Sequence, residues 1–164
     1  MKWLALLIFV IACQAIGFIG SVPTIRAIPS WYKTLRRPAW TPPNRIFAPV
    51  WTLLYLLMAI AAWRCWVDTG FTAWAIPFAL QLALNLAWSW IFFGWKQIAS
   101  AAVEMVFLWA SILWSVLVMG AIDPTSGLLL IPYLLWVSFA LALNLSFWTL
   151  NRPTRSTNAG SDVR

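Results

Sequence analysis

Charged positions divide the chain into five long apolar stretches. No charge occurs in 3–22, 46–63, 71–95 or 124–151, and 98–122 contains only Glu104. A helix needs about 20 mostly apolar residues to cross roughly 30 Å of hydrocarbon, so each stretch is long enough or nearly so. The runs are continuous rather than alternating, which favours helices over the strands of a membrane barrel. The pattern predicts an all-α membrane protein, a single five-transmembrane-helix bundle spanning 1–152. Its helices are expected at about 3–22, 46–66, 72–94, 99–122 and 127–150, with a long ordered loop between the first two. Val22 and Pro23 are expected to end the first helix. The stretch 3–22 is longer than a signal-peptide core and no small-x-small cleavage site follows it, so it reads as a retained helix. Residues 153–164 form a polar tail expected to be disordered.

The loop is the least ordinary part of the chain. Residues 31–55 read WYKTLRRPAWTPPNRIFAPVWTLLY, with Lys33, Arg36, Arg37 and Arg45 set among prolines 38, 42, 43 and 49. Proline fixes its own φ and restricts the residue before it, so this segment is a shaped connector rather than a continuous helix. Long loops in compact proteins are usually kept for function.

Periodicity separates the faces of the helices. Trp51, Tyr55, Met58 and Ala62 lie on one face of the second helix, and Arg64 and Asp68, four apart, are placed to pair at its end. In the third helix Ala75, Ala79, Ala83 and Ala87 repeat every four residues, while Gln81, Asn85, Trp88 and Phe92 lie on the opposite side. The alanines make a small-xxx-small ridge suited to close contact, either within the chain or with a second copy as a homodimer. Amides are costly toward lipid, so Gln81 and Asn85 should point into the bundle. On the fifth helix Tyr133, Trp136, Ala140, Asn144 and Phe147 fall within about 80° of one another at 100° per residue. The second, third and fifth helices thus turn aromatic and amide faces toward one shared interior. Gly17, Gly20 and Ser21 read as a simple close crossing of the first helix. Glu104 is shallow and alone, and is expected to pair with or snorkel toward Lys96.

Composition agrees with the pattern and charge adds a direction. The 164 residues are 63% hydrophobic and 9% charged, with a mean hydropathy of +0.83. A net charge of +7 would suggest nucleic acid in a soluble chain; here it reports topology, and no nucleic-acid partner is expected. Five crossings gather Arg26, Lys33, Arg36, Arg37, Arg45, Lys96, Arg152, Arg155 and Arg164 on one side and leave Lys2 and Arg64 on the other. The positive-inside bias puts the first loop and C-terminus in the cytoplasm and the N-terminus outside. Cys13 and Cys65 are expected to be free buried thiols.

The chemistry on offer is recognition rather than hydrolysis. The chain lacks histidine, a CxxC motif, paired carboxylates and a Gly-rich phosphate loop, so neither a metal nor a cofactor is expected. It does have 14 tryptophans, amides at membrane depth and a basic loop beside them. A flat, partly anionic hydrophobic molecule suits that set: indoles stack on its faces, amides orient its heteroatoms, and basic side chains meet its carboxylates.

Three segments carry a family resemblance: WYKTLRRPAWTPPNRIFAPVWTLLY, QLALNLAWSWIFFG and PYLLWVSFALALNLSFWTLN. Together they resemble the tryptophan-rich sensory protein or translocator protein family, also called the peripheral-type benzodiazepine receptor. The resemblance covers nearly all of 3–152. It implies a five-helix fold, often dimeric, whose loop-capped cavity binds porphyrins, sterols and synthetic ligands such as isoquinoline carboxamides. Carried over by position, the ligand-binding residues are Trp31, Trp51, Tyr55, Asn85, Trp88, Trp136, Ala140 and Asn144. The resemblance also implies that Trp51 and Trp136 would be the catalytic residues of a light- and oxygen-dependent breakdown of porphyrin. The sterol-recognition pattern of animal members needs a Tyr where this chain has Phe147 and Trp148, and so is incomplete here. The expected function is binding and sensing of protoporphyrin-like tetrapyrroles in contact with membrane lipid, the rivals being that enzyme and a transporter.

Overall fold

In the computed structural model, which describes residues 2–152, the chain is almost entirely helical. The tail 153–164 lies outside the described residues. The helices are α1 (Lys2–Ala27), α2 (Trp31–Thr34), α3 (Asn44–Thr69), α4 (Ala75–Ser89), α5 (Ile98–Ile122) and α6 (Pro124–Leu150), with a π-helical stretch (Trp90–Gly94) extending α4. Five are long and apolar enough to span a membrane: α1, α3, α4 with its π extension, α5 and α6. The short α2 belongs to the loop.

Each long helix packs on two main neighbours, in the ring order α1, α3, α6, α5, α4 and back to α1. Five crossings put α2, the loop, the π stretch and the end of α6 at one end. The α3–α4 and α5–α6 connections lie at the other. Arg26, Lys33, Arg36, Arg37, Arg45, Lys96 and Arg152 therefore sit on or beside the loop end.

Local chemistry sets the helix limits, with one departure from expectation. Pro23 does not end α1, which continues to Ala27. A proline inside a helix removes one hydrogen bond and clashes with the preceding turn, and here that defect lies about one turn from the end. Gly70, at φ 67, ends α3, a conformation that costs a β-carbon-bearing residue strain. Asp123 caps α6: its carboxylate accepts from the backbone N–H of Thr125 at 3.3 Å and of Ser126 at 3.0 Å.

Arg64 provides a second correction. It pairs across the bundle with Asp123, Nε to Oδ2 at 2.6 Å and Nη2 to Oδ1 at 3.1 Å, rather than with Asp68. Asp123 offers a carboxylate already fixed by its capping role, so the guanidinium gains a two-point contact. The Arg64 hydrogen bonds, reinforced by those from Ser126, hold the Asp123 carboxyl well below the usual carboxylate range.

The core lies nearer this end. Met58, Ala59, Ala61, Ala62 and Cys65 of α3 meet Met105, Leu108, Ile112 and Met119 of α5 and Leu130 and Tyr133 of α6, all fully buried or nearly so. Cys13 and Cys65 are free and buried. The alanine ridge of α4 does not pack inside the chain along its length, because Ala79 and Ala83 are exposed beside the exposed Ile76 and Leu80. Glu104 makes no ion pair among the described residues, and both its oxygens are buried without a hydrogen-bond partner. It sits six residues into α5, about 9 Å along the axis, beyond the exposed Lys96.

Candidate functional site

Between the core and the loop the helices of the ring part from one another without filling its centre. They leave a hollow of about 460 Å³ walled by α1, α3, the end of α4 with its π extension, and α6. Small-molecule sites usually measure about 300–1,000 Å³. Trp51 and Tyr55 of α3, Asn85 and Trp88 of α4, and Trp136 and Ala140 of α6 all line it. A second hollow of about 60 Å³ shares Phe47, Trp88, Phe93 and Ala140 with the first and is lined also by Tyr32 and Asn144.

Side-chain size and a chain of hydrogen bonds keep the larger hollow in shape. Tyr55 Oη donates to Asn85 Oδ1 at 3.2 Å, and Asn85 Nδ2 donates to Tyr133 Oη at 2.7 Å, joining α3, α4 and α6 through buried groups. Each such bond contributes about 1 kcal/mol net, and more is lost if one partner is removed in the interior. Gly17 admits the Tyr55 ring, since a β-carbon there would stand 2.5 Å from ring carbon Cε2. Trp51 lies 5.9 Å from Tyr55 and 6.2 Å from Tyr133, centroid to centroid, and Trp136 meets Phe47 edge-on at 5.8 Å.

The π stretch shapes the loop side. Its backbone bond from Trp95 N to Trp90 O, at 2.8 Å, closes a wider turn than an α-helix makes. Phe92 and Phe93 both then reach the smaller hollow, 4.7 Å apart and packed against Trp88 at 5.5 and 5.8 Å. Polar atoms in this region lack partners. Asn144 is 2% exposed, and among the described residues neither its amide atoms nor Trp88 Nε1 has a hydrogen-bond partner. Deeper, against the core and lining neither hollow, Gln81 offers its Nε2 only to the sulfur of Met58 at 3.6 Å and has an Oε1 without a partner among the described residues. Buried polar groups are nearly always satisfied in folded proteins, so these exceptions call for a partner that the described residues do not supply, water included.

The loop forms a roof. Tyr32 is buried between Phe93 and Phe147 at 5.7 and 5.5 Å, and the Arg37 guanidinium lies 4.6 Å above its ring. Burial pushes its phenol above the ordinary value, with Arg37 pulling the other way. Trp31 packs on Phe92 at 5.8 Å and lines neither hollow; Tyr32, its neighbour, is the roof residue that does. Lys33, Arg36, Arg37 and Arg45 are exposed and line neither hollow.

Periodicity missed the wall contributed by α1. Gln14, Gly17, Phe18, Ser21 and Thr24 all face the larger hollow. The signal was present: Gln14 is a lone amide in an apolar run, the same anomaly that singled out Gln81 and Asn85. Phe47 was equally accessible, one turn before Trp51.

Comparison with known proteins gives one consistent relationship. The family model described as TspO/MBR family matches residues 9–149. The chain is 39% identical over 143 residues to the tryptophan-rich protein TspO of Chlorobaculum tepidum, covering 85% of this chain and 90% of the relative. It is 36% identical over 152 residues to protein CrtK of Rhodobacter capsulatus, 88% and 91% of the two chains. It is 34% identical over 158 residues to the translocator protein of Homo sapiens, 93% and 94% of the two chains.

Proposed function

This chain belongs to the TspO/MBR family, and from that premise we propose that it is a membrane-embedded binding and sensing protein for protoporphyrin-like tetrapyrroles and related planar hydrophobic molecules. The supporting observation is the 460 Å³ hollow, whose wall combines three indoles, Trp51, Trp88 and Trp136, with the Asn85 amide. Aromatic walls favour a flat π-system by offset or edge contact. Trp88 also lines the adjoining smaller hollow together with Asn144, so a ligand that widened the two into one would gain the unpaired Trp88 Nε1 and Asn144 amide as partners for its heteroatoms.

The surroundings complete the reading. The cluster of cations at the loop end favours a cytoplasmic loop and C-terminus, where acidic substituents of a ligand would meet them. The exposed Ala79 and Ala83 offer a second copy a close-packing surface. Titrating purified protein with protoporphyrin IX, followed by quenching of tryptophan fluorescence, tests the function. Saturable binding weakened by Trp136→Ala is expected, and unsaturable partitioning that this change leaves alone would overturn the reading.

A second reading is favoured by one feature, the joint presence of Trp51 and Trp136 in the same wall. An indole beside a light-excited porphyrin can donate an electron, with molecular oxygen as the terminal oxidant. Illumination in air separates the two: a binder returns the pigment unchanged, while an enzyme gives a new product that Trp51→Phe abolishes.

A further inference from the structure

The smaller hollow lies under a tethered roof, while the larger one beside it has an exposed side. At the roof, Asn151 at the end of α6 makes two reciprocal bonds to the backbone of Arg36, accepting from its N–H at 2.9 Å and donating to its carbonyl at 3.0 Å. Four aromatic contacts bind the loop to the helices below: Trp31 on Phe92, Tyr32 on Phe93 and Phe147, and Trp40 on Phe139.

The side wall differs. Toward the far end α1 is tied to α3 where Trp63 Nε1 donates to the Lys2 carbonyl at 2.9 Å, and at the edge of the hollow itself Gln14 Nε2 donates to the Thr52 carbonyl at 2.9 Å. Nearer the loop the hollow lies between the two helices. There Phe18 on α1 and Ala48 and Thr52 on α3 line it while also being exposed on the outer surface, Phe18 by 71%. Residues that are both wall and surface mark a mouth.

We propose that the ligand enters and leaves sideways, from the lipid phase, through this mouth between α1 and α3, so that the site takes molecules dissolved in the bilayer rather than in water. The proposal rests on the ligand-binding reading above. Depth supports it: Ala48 and Thr52 lie about 6 and 12 Å from the start of α3, and Phe18 about 14 Å from the end of α1, at 1.5 Å per residue. In helices of 26 residues these positions fall within the hydrocarbon-spanning length. Polarity supports it too, since the Thr52 hydroxyl is occupied by the Ala48 carbonyl at 3.0 Å and presents no free donor to an apolar guest. Phe18, exposed at the mouth, can change rotamer in picoseconds to nanoseconds, and the one side-chain bond joining α1 to α3 at the mouth among the described residues is that of Gln14 to the Thr52 carbonyl. Passage through the roof requires breaking the Asn151 tie and separating the aromatic contacts.

The test uses the full chain reconstituted in phosphatidylcholine vesicles carrying protoporphyrin IX, with association and dissociation rates read by tryptophan quenching. Ala48→Trp narrows the mouth and should slow both rates about tenfold, changing their ratio much less, because a passage affects both directions of transfer. Thr52→Trp, at the same mouth, should do likewise if Ala48→Trp folds poorly. Asn151→Ala frees the roof and should leave both rates within about twofold of the unaltered chain. Faster exchange in Asn151→Ala with unchanged rates in the mouth variants would overturn the route. So would faster dissociation alone in the mouth variants, which would make these residues contacts rather than a passage. No saturable binding by the unaltered chain would overturn the porphyrin reading itself, and the route with it.

Discussion

Near Asp123 the helices meet through small residues and paired polar groups, whereas at the loop end the same helices are held apart by aromatic rings with amides left unpaired between them. At the first end Gly120 and Gly127 bring α5 and α6 so close that a β-carbon on Gly127 would lie 2.8 Å from the Gly120 Cα. Ser126 Oγ is 3.1 Å from the Ala61 carbonyl and 2.6 Å from Asp123 Oδ2, and Arg64 completes the set. At the other end Trp51, Trp88 and Trp136 remain partly exposed, and Asn144 and Trp88 have polar atoms without partners. Tight packing secures the first region. The second forgoes about 1–3 kcal/mol for each buried polar group left unsatisfied, which a bound molecule can restore.

The largest expected effect is at the packed end. Gly127→Val places a β-carbon against backbone that cannot move aside, and should cost about 3 kcal/mol or more, read as a lower unfolding midpoint in detergent. An unchanged midpoint would break the contrast. Next, Trp136→Ala should weaken protoporphyrin IX binding roughly 30-fold, about 2 kcal/mol, while lowering the midpoint less than Gly127→Val does. If stability falls further than affinity, the hollow is a packed core by another name.

Asp123→Asn sharpens the comparison through pH. The native carboxyl is depressed, so its contribution is fully present above the unfolded carboxylate value of about 3.9 and is lost as pH falls from there through the lower native value. Unaltered protein should therefore lose stability on acidification through that window, and the variant should show a flatter profile. Asparagine keeps the cap, so the loss is that of the charged Arg64 contact, about 0.5–1 kcal/mol given the partial exposure of Arg64; equal acid slopes in the two proteins would remove the pair from the account.

Asn144→Leu reverses the usual sign. Replacing an amide without partners by an apolar side chain of similar size should raise stability by up to about 1 kcal/mol and weaken ligand binding; a loss of stability would mean the amide is satisfied after all. The smallest effect belongs to Ala79→Leu, outside both regions. It should change stability by less than about 0.5 kcal/mol and leave porphyrin affinity unaltered while shifting the monomer–dimer balance seen by cross-linking. Equal losses of binding in Trp136→Ala and Ala79→Leu would refute the division of α4 and α6 into faces.

Much of the wall was legible because membrane helices obey a narrow rule. Amides are costly toward lipid, so Gln81, Asn85 and Asn144 had to face inward, and their helical spacing carried Trp88, Trp136 and Ala140 with them. Trp31 shows the limit. Loop residues have no period, and whether Trp31 or Tyr32 reaches the hollow depends on how a four-residue helix sits on Phe92 and Phe147. Arg64 shows another: the nearest carboxylate in sequence was Asp68, but the partner with a fixed carboxylate was Asp123, 59 positions away.

The sequence by itself determined the helical bundle, its five crossings and the inward faces, because hydrocarbon penalises every exposed backbone or amide group and leaves helices with buried polar sides as the solution. Only the tertiary structure decided that α1 supplies a wall, that Glu104 finds no partner among the described residues, that Ala79 and Ala83 face outward, and that the hollow opens between α1 and α3. Those outcomes depend on which helices become neighbours and how closely residues such as Gly17 let them approach, and distances between helices are not written in the period of any single one.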